Sequence, residues 1–377
     1  MKKTNGLRTW IEISAANLKH NVELFQQQVV PNKKIMAIVK SNAYGHGFVD
    51  FAQQLELLKV DHLGVDSISE ALRLRKEGIT IPILVLGHTL PEWVKEAVDH
   101  DITLTVSTMG TLKAWTELYL LQPIPIHLKI DTGLHRQGFM KHELHEVLDF
   151  LETHGQFYDV AGLYTHFAKA KDPNDRVYTE KQISEFNTWV EAFKNAQFGI
   201  LVHACATGGT LLYPEAHYDM VRIGAGFCGI WPSDEIKKVF NQQFELKPVL
   251  TWKTLIVEKK HIQKGEGIGY DLIEILQRDS VVAICPIGYW HGIPRKLSTI
   301  GSVLVNGKRA KILGKISMDM LAIDVTDIFD IQIYDEAVVI GVSGQEEISI
   351  RDLAELAGTT TYEFITRVNP RIKKIYV

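Results

Sequence analysis

Short apolar runs alternate with amphipathic segments over residues 35–230. Each run is mostly β-branched or Leu and is bounded by Gly, Pro, Asp or Ser, which is typical of parallel strands buried on both faces. There are eight such runs, at residues 35–39, 62–65, 83–86, 102–106, 124–130, 160–164, 200–203 and 220–223. Between them, the apolar spacing predicts helices at residues 48–58, 67–76, 91–100, 108–118, 141–153 and 175–195.

This alternation predicts an α/β fold with one parallel sheet. Eight strands that alternate with helices favour a closed (β/α)8 barrel of the TIM type, with a doubly wound open sheet as the alternative. Ser67 and Glu70 have the spacing of a capping box at the start of the helix at 67–76.

The pattern of hydrophobic and polar positions changes after about residue 240. Residues 249–257 alternate apolar and polar positions, and residues 301–313 do so around the hairpin turn signal Asn306-Gly307. We therefore predict a barrel domain at residues 1–243 and a mostly β domain at residues 244–377. Residues 1–13 are expected to pair with the β domain as an extra strand.

Composition excludes several classes of function. Hydrophobic residues make up 46% and charged residues 23%, and the net charge of −4 gives no basic footprint for nucleic acid. No apolar run resembles a signal peptide or a membrane span, so we predict a cytoplasmic protein without a membrane partner. The three widely spaced cysteines, Cys205, Cys228 and Cys285, form no disulfide framework, and no metal-ligand cluster is visible.

Candidate chemistry begins at Lys40, directly after the first barrel strand, because barrel active sites lie at the carboxyl ends of strands. Residues 37–47 read Ala-Ile-Val-Lys-Ser-Asn-Ala-Tyr-Gly-His-Gly. This segment resembles the pyridoxal 5′-phosphate (PLP) lysine motif of bacterial alanine racemases. The resemblance implies that Lys40 forms a Schiff base with PLP and later acts as a base.

Further segments resemble the same family in the same order. Residues 129–138 read Lys-Ile-Asp-Thr-Gly-Leu-His-Arg-Gln-Gly. The resemblance implies that Lys129 is carbamylated and positions Arg136, which binds the substrate carboxylate. A plain structural lysine paired with a carboxylate is the alternative for Lys129.

The ends of the later strands match the family's cofactor site. The resemblance implies that Arg222 faces the pyridine nitrogen of PLP and that His203 orients Arg222. Loops after strands seven and eight often bind phosphate in barrels. The cofactor-binding set implied in this way is Lys40, Tyr44, His166, His203, Thr207, Arg222, Gly224, Ala225 and Tyr362.

The second domain also carries family segments. The resemblance implies that Tyr270, in residues 265–271, reaches the active site of a partner subunit as the second base. It also implies that the backbone amide of Met318 binds the substrate carboxylate and that Tyr289 and Asp319 line the access path. The chain departs from the common family pattern at Ala206, where an Asn is usual.

The resemblance implies a homodimeric, PLP-dependent racemase that interconverts L- and D-alanine with two bases and supplies D-alanine for peptidoglycan. Three alternatives remain open at this point: a broad-specificity or serine-preferring PLP racemase, a fold-related PLP decarboxylase, and a PLP-binding protein without turnover. A decarboxylase would usually carry an acidic residue at the position of Arg222.

Overall fold

The computed structural model describes residues 6–240 and 244–377. These residues divide into two compact units. The barrel unit contains residues 18–43, 48–240 and 244–247, and the β unit contains residues 6–17, 44–47 and 248–377. The predicted domain boundary between residues 243 and 244 falls at the segment 241–243, which lies outside the described residues.

A closed parallel barrel organises the barrel unit. Strand β1 (Thr9–Ile13) belongs to the β unit. Strands β2 to β9 of the barrel occupy Lys34–Ile38, His62–Val65, Ile83–Val85, Ile102–Val106, Ile124–Lys129, Tyr158–Tyr164, Leu201–Ala206 and Met220–Ile223. Strands β2 to β9 pair in sequence order, and β9 closes the barrel by pairing with β2. The predicted eight-stranded barrel is therefore confirmed, and the open sheet is excluded.

Helices connect these strands. Helices α1 to α10 occupy Ala15–Gln28, Lys40–Tyr44, Phe48–Leu57, Ile68–Lys76, Val94–Asp99, Met109–Thr116, Leu144–His154, Val177–Asn195, Thr207–Leu212 and Asp234–Phe240. The helices predicted at 91–100 and 141–153 each begin with a 3₁₀ turn, at Pro91–Trp93 and Lys141–Glu143. Thr108 caps α6 by accepting a hydrogen bond from the Thr111 amide, which satisfies one donor of the first turn.

Apolar side chains fill the barrel unit on both faces of its strands. Leu63, Leu104 and Ile126 are fully buried, as are the large side chains of Phe186 and Trp189 on α8. Full burial of a Leu or Ile side chain stabilises the fold by roughly 1.5–3 kcal/mol. This packing gives a rigid support for side chains that emerge where the strands end.

The β unit is mostly antiparallel sheet. Strands β10 to β20 occupy Leu250–Leu255, Glu258–Ile262, Gly267–Ile268, Glu274–Ile275, Ser280–Cys285, Ser302–Val305, Lys308–Leu313, Leu321–Asp324, Glu336–Ser343, Glu346–Ile348 and Lys374–Tyr376. In the described part of the chain, ten of the strands form one sheet in the order β11-β14-β17-β16-β15-β18-β10-β1-β20, with β19 beside β18. Strand β1 pairs antiparallel with β10 and parallel with β20.

Local sequence explains several turns of the β unit. Asn306 and Gly307 join β15 to β16 with φ values of 47° and 75°, as a two-residue hairpin turn requires. Two helices, α11 (Ile350–Leu356) and α12 (Thr361–Thr366), follow the strands. Ser349 and Asp352 form a capping box at α11.

In the described ranges, no helix is both long and apolar enough to span a membrane.

Candidate active site

Lys40 begins α2, a single turn two residues after the end of β2, and the backbone of this turn is unusual. Ser41, Asn42, Ala43 and Tyr44 all have positive φ, between 49° and 60°, so the chain makes a left-handed turn without glycine. Such a conformation costs roughly 1–2 kcal/mol per residue, and it persists only when surrounding contacts hold it.

The Lys40 side chain is paired with a carboxylate. Its Nζ lies 3.0 Å from Oδ1 of Asp66, which follows β3. The two side chains are 39% and 57% exposed. The lysine is therefore accessible and held by one solvent-screened ion pair, which is a weak restraint.

Arg222, on β9, is held in the opposite manner. It is 3% exposed, and its Nη2 donates to the carbonyl oxygens of Thr165 (2.7 Å) and Ala204 (2.6 Å). Its Nη1 lies 2.7 Å from Nδ1 of His203, and its Nη2 lies 3.3 Å from Nδ1 of His166. Because all of these acceptors are neutral, burial lowers the pKa of Arg222 to about 10, and the side chain remains a cation.

A chain of histidines extends from Arg222 into the barrel core. An arginine can only donate, so Nδ1 of His203 is the acceptor and its Nε2 carries the proton. That Nε2 lies 2.9 Å from Nδ1 of His127 on β6. Burial, followed by the charge of Arg222, lowers the pKa of His203 well below its ordinary value. A glycine at position 162 admits the His127 ring, since a Cβ there would lie 2.5 Å from it.

Tyr164, at the end of β7, closes this buried cluster. Its ring stacks on His203 with ring centroids 4.8 Å apart and an angle of 4°. Its hydroxyl lies 3.0 Å from Oγ1 of Thr105. Burial raises the pKa of Tyr164 to about 12, so the phenol stays neutral beside Arg222.

Lys129, at the end of β6, is buried among other cations. It is 5% exposed, and its Nζ donates to Oε1 of Gln137 at 3.1 Å. Burial, followed by the charges of Arg136, Arg222 and Lys40, lowers the pKa of Lys129 to about 8. About half of Lys129 is therefore uncharged near pH 8.

Arg136 is exposed on the loop that follows Lys129. Asp131 shapes this loop, because its Oδ1 accepts hydrogen bonds from the amides of Gly133 (2.9 Å) and His135 (3.0 Å). A cavity of about 430 Å³ lies beside Arg136 and is also lined by Ser107 and the Asp131 loop. The guanidinium therefore faces open space in which it can bind a carboxylate.

His166, after β7, is half-buried beside Arg222. Burial, followed by the charges of Arg222 and Arg136, lowers the pKa of His166 to about 3. The ring is therefore neutral at physiological pH, and its Nδ1 accepts from Arg222.

The loops after β8 and β9 meet at Thr207. Its Oγ1 lies 3.4 Å from the amide nitrogen of Gly224, and Thr207 and Ala225 are both buried. A Cβ on Gly226 would lie 2.6 Å from the Phe25 ring, so only glycine permits this tight turn. The charges of Arg136, Arg222 and Lys40 all act on Lys129, so positive charge is concentrated around Lys129, which suits an anionic group.

Within the β unit, two tyrosines of the predicted cofactor set lie together. The ring centroids of Tyr44 and Tyr362 are 6.2 Å apart. Tyr362 lies in α12, which Thr360 caps by accepting from the Glu363 amide.

The remaining predicted residues occupy exposed turns of the β unit. Tyr270 is 65% exposed in a 3₁₀ turn, where an ion pair between Lys315 and Asp271 fixes the next residue. Met318 is also exposed, and its carbonyl accepts from the Trp290 amide at 3.0 Å. The two side chains predicted to line the access path are adjacent to these residues in the sequence. Tyr289 is exposed and precedes Trp290, and Asp319 is half-buried and follows Met318.

Comparison with known proteins decides the family. Family models described as the N-terminal and C-terminal domains of alanine racemase match residues 13–232 and 249–376. The chain is 38% identical to alanine racemase 2 of Oceanobacillus iheyensis, over 98% of this chain and 93% of that protein. The chain belongs to the alanine racemase family. It is an enzyme of the isomerase class, as its relatives are.

Solved structures of alanine racemases have the same fold. The alanine racemase of Clostridium difficile 630 matches with a TM-score of 0.92 and 31% identity, over 98% of this chain and 96% of that one. The alanine racemase of Bacillus anthracis with bound L-Ala-P matches with a TM-score of 0.91 and 32% identity, over 98% and 95%.

Sequence reasoning missed several residues that contact the predicted site residues in the barrel unit. Asp66 could have been found, because it follows β3 at the carboxyl end of a barrel strand. The sequence pattern did not distinguish His127 and Tyr164, because both lie within apolar runs that predict buried core strands. The described residues contain no group of His, Cys, Asp or Glu side chains suited to a metal.

Proposed function

We propose that this enzyme interconverts L- and D-alanine with bound PLP, using Lys40 and Tyr270 of the partner subunit as two bases in a homodimer. The observation that carries the proposal is the pairing of an accessible lysine with a buried, carboxylate-free arginine in one barrel. The accessible lysine can take up and release a proton, whereas the buried arginine stays protonated. A catalyst that must return a proton quickly needs both properties.

The cofactor would be held by the predicted cofactor-binding residues. Lys40 would bind it covalently, Thr207 with the amides of Gly224 and Ala225 would hold its phosphate, and the rest of the set comprises Tyr44, His166, His203, Arg222 and Tyr362. When bound, PLP supplies an electron sink that makes the α-proton of the amino acid acidic.

Arg222 decides which chemistry is favoured. Its guanidinium stays protonated because the pKa falls only to about 10, and its donors toward His203 and the two carbonyls fix its orientation. A cation here gives the pyridine nitrogen no proton, whereas a carboxylate would stabilise one. Without that proton the bound cofactor would be a weaker electron sink, which would favour rapid return of the α-proton over side reactions such as transamination.

Arg136 and the backbone amide of Met318 would bind the substrate carboxylate, with Tyr289 and Asp319 on the access path.

Lys129 is suited to carbamylation, because an uncharged amine adds to carbon dioxide and releases one proton. Its lowered pKa and its cationic neighbours favour the resulting anion. The carbamate would then accept hydrogen bonds from Arg136 and restrain it.

Two bases on opposite faces of the α-carbon can invert it without rotating the bound substrate. Lys40 would act on the D face and Tyr270 of the partner subunit on the L face. The exposure of Tyr270, Leu272 and Ile273, at 65%, 59% and 49%, supports a partner surface in this segment. In the cell, the D-alanine formed would supply peptidoglycan synthesis.

The purified protein tests the proposal directly. We expect racemisation of alanine in both directions that depends on added PLP, and we expect borohydride to fix the cofactor on Lys40. A panel of amino acids separates alanine specificity from a broad or serine-preferring racemase. Absence of racemisation in PLP-loaded protein would refute the proposal, as would cofactor fixed at another lysine.

A further inference from the structure

Glu70 makes a connection that its sequence position does not suggest. Its spacing from Ser67 predicts a local capping box, and Ser67 does accept from the Glu70 amide. The Glu70 carboxylate, however, does not return to the amide of Ser67. Its Oε1 accepts from the amide of Ser41 at 2.9 Å, and its Oε2 accepts from the amide of Asp66 at 2.8 Å.

These two amides belong to the two residues that position Lys40. Ser41 is the next residue and the first of the left-handed turn, so its position sets the backbone from which the lysine side chain departs. Asp66 holds the lysine Nζ at 3.0 Å. One half-buried carboxylate therefore connects the backbone of Lys40 with the counter-ion of Lys40. Hydrogen bonds from amides to a carboxylate are stronger than neutral ones and suit such a restraint.

We propose that Glu70 is a positioning residue for Lys40, and that its carboxylate sets the direction and reactivity of the lysine amine by bridging the Ser41 and Asp66 amides. This inference rests on the proposed function for its catalytic consequence only. Its geometric consequence, the reactivity of the Lys40 amine, is measurable in protein without cofactor.

The chain offers a matched control in Glu56. This half-buried glutamate on α3 also accepts from two backbone amides, Thr80 at 2.8 Å and Ile81 at 3.1 Å. Those amides precede β4 and lie at the amino end of a barrel strand, whereas Ser41 and Asp66 follow β2 and β3. Removal of either carboxylate costs two amide hydrogen bonds, but only Glu70 borders Lys40.

The experiment compares Glu70→Ala with Glu56→Ala. In apoprotein, trinitrobenzenesulfonate labelling of each lysine is followed by peptide mapping, with the exposed Lys95 as internal reference. We expect the labelling rate of Lys40 to rise roughly fivefold in Glu70→Ala and to stay unchanged in Glu56→Ala. In holoenzyme, we expect kcat of Glu70→Ala to fall about tenfold or more while KM stays nearly constant.

Glu70→Asp separates geometry from charge. The shorter side chain keeps the carboxylate but cannot reach both amides, so we expect it to behave like Glu70→Ala. Normal Lys40 labelling and normal kcat in Glu70→Ala would overturn the proposal, as would equal changes in Glu56→Ala or full rescue by Glu70→Asp. If the protein does not racemise alanine at all, the labelling result still decides the positioning role of Glu70.

Discussion

The two cations of the barrel site, Lys40 and Arg222, are restrained in opposite ways. Lys40 is 39% exposed and has one ion pair with an exposed carboxylate. Arg222 is 3% exposed and donates to carbonyls and to His203 inside the barrel. Under the proposed function, the side chain that would move a proton is weakly restrained, whereas the charge that would set the electronic character of the site is held firmly.

The backbone repeats this contrast. Arg222 lies on the regular strand β9, while Lys40 begins a left-handed turn that outside contacts must hold. If this contrast is correct, substitution of Lys40 should lower activity with little change in stability, whereas substitution of Arg222 should lower both.

Lys40→Ala should have the largest effect on activity and a small effect on stability. We expect racemisation to fall by at least about 10³-fold, because both the covalent anchor and one base are lost. The melting temperature of the apoprotein should change little, since an exposed ion pair contributes at most about 1 kcal/mol. Racemase assays and thermal unfolding measure the two quantities, and a severe loss of stability would break the comparison.

Arg222→Met should lower both activity and stability. The variant leaves buried acceptors of Arg222 unpaired, at roughly 1–3 kcal/mol each. Arg75→Met is the matched control, because Arg75 donates to the carbonyls of His100, Ile79, Ile81 and Asp101. We expect both variants to melt at lower temperature, with activity lost only in Arg222→Met. An active Arg222→Met enzyme would contradict the assigned role.

His127→Phe tests whether the histidine chain orients Arg222. The substitution leaves the Nε2 proton of His203 without its acceptor, so we expect kcat to fall about tenfold with a nearly constant KM. His217→Phe is the control, since this buried histidine pairs with Val30 and Thr210 instead. Equal kinetic effects in the two variants would show that His127 contributes only to packing.

Lys129 should affect how the stability of the protein depends on pH. Its folded pKa of about 8 lies below its ordinary value, so the unfolded chain binds more protons between about pH 8 and 10.4. Stability therefore rises with pH across that window, by up to about 3 kcal/mol relative to Lys129→Met. Unfolding curves in buffer without carbon dioxide measure this difference, and a constant difference would contradict the lowered pKa.

Periodicity predicted the barrel well because its strands are buried on both faces and bounded by turn residues. The strand Glu258–Ile262 escaped prediction, since four of its five residues are exposed and no alternation results. The helix Ala15–Gln28 was also missed.

The site was only partly predictable. Family motifs identified Lys129, His203 and Arg222, and the structure brings them into one cluster. No local pattern could reveal that the Glu70 carboxylate binds Ser41, 29 residues away, because this contact depends on how neighbouring barrel strands end. The left-handed turn after Lys40 likewise depends on such tertiary contacts.

The most direct test of the central claim is exchange of the alanine α-proton for deuterium in D₂O, measured by NMR with Tyr270→Phe. In the proposed mechanism, which this measurement tests, Lys40 acts on the D face and Tyr270 of the partner subunit acts on the L face. This mechanism predicts that exchange from L-alanine falls by about 10²-fold or more while exchange from D-alanine continues. Equal exchange rates from the two enantiomers would contradict it.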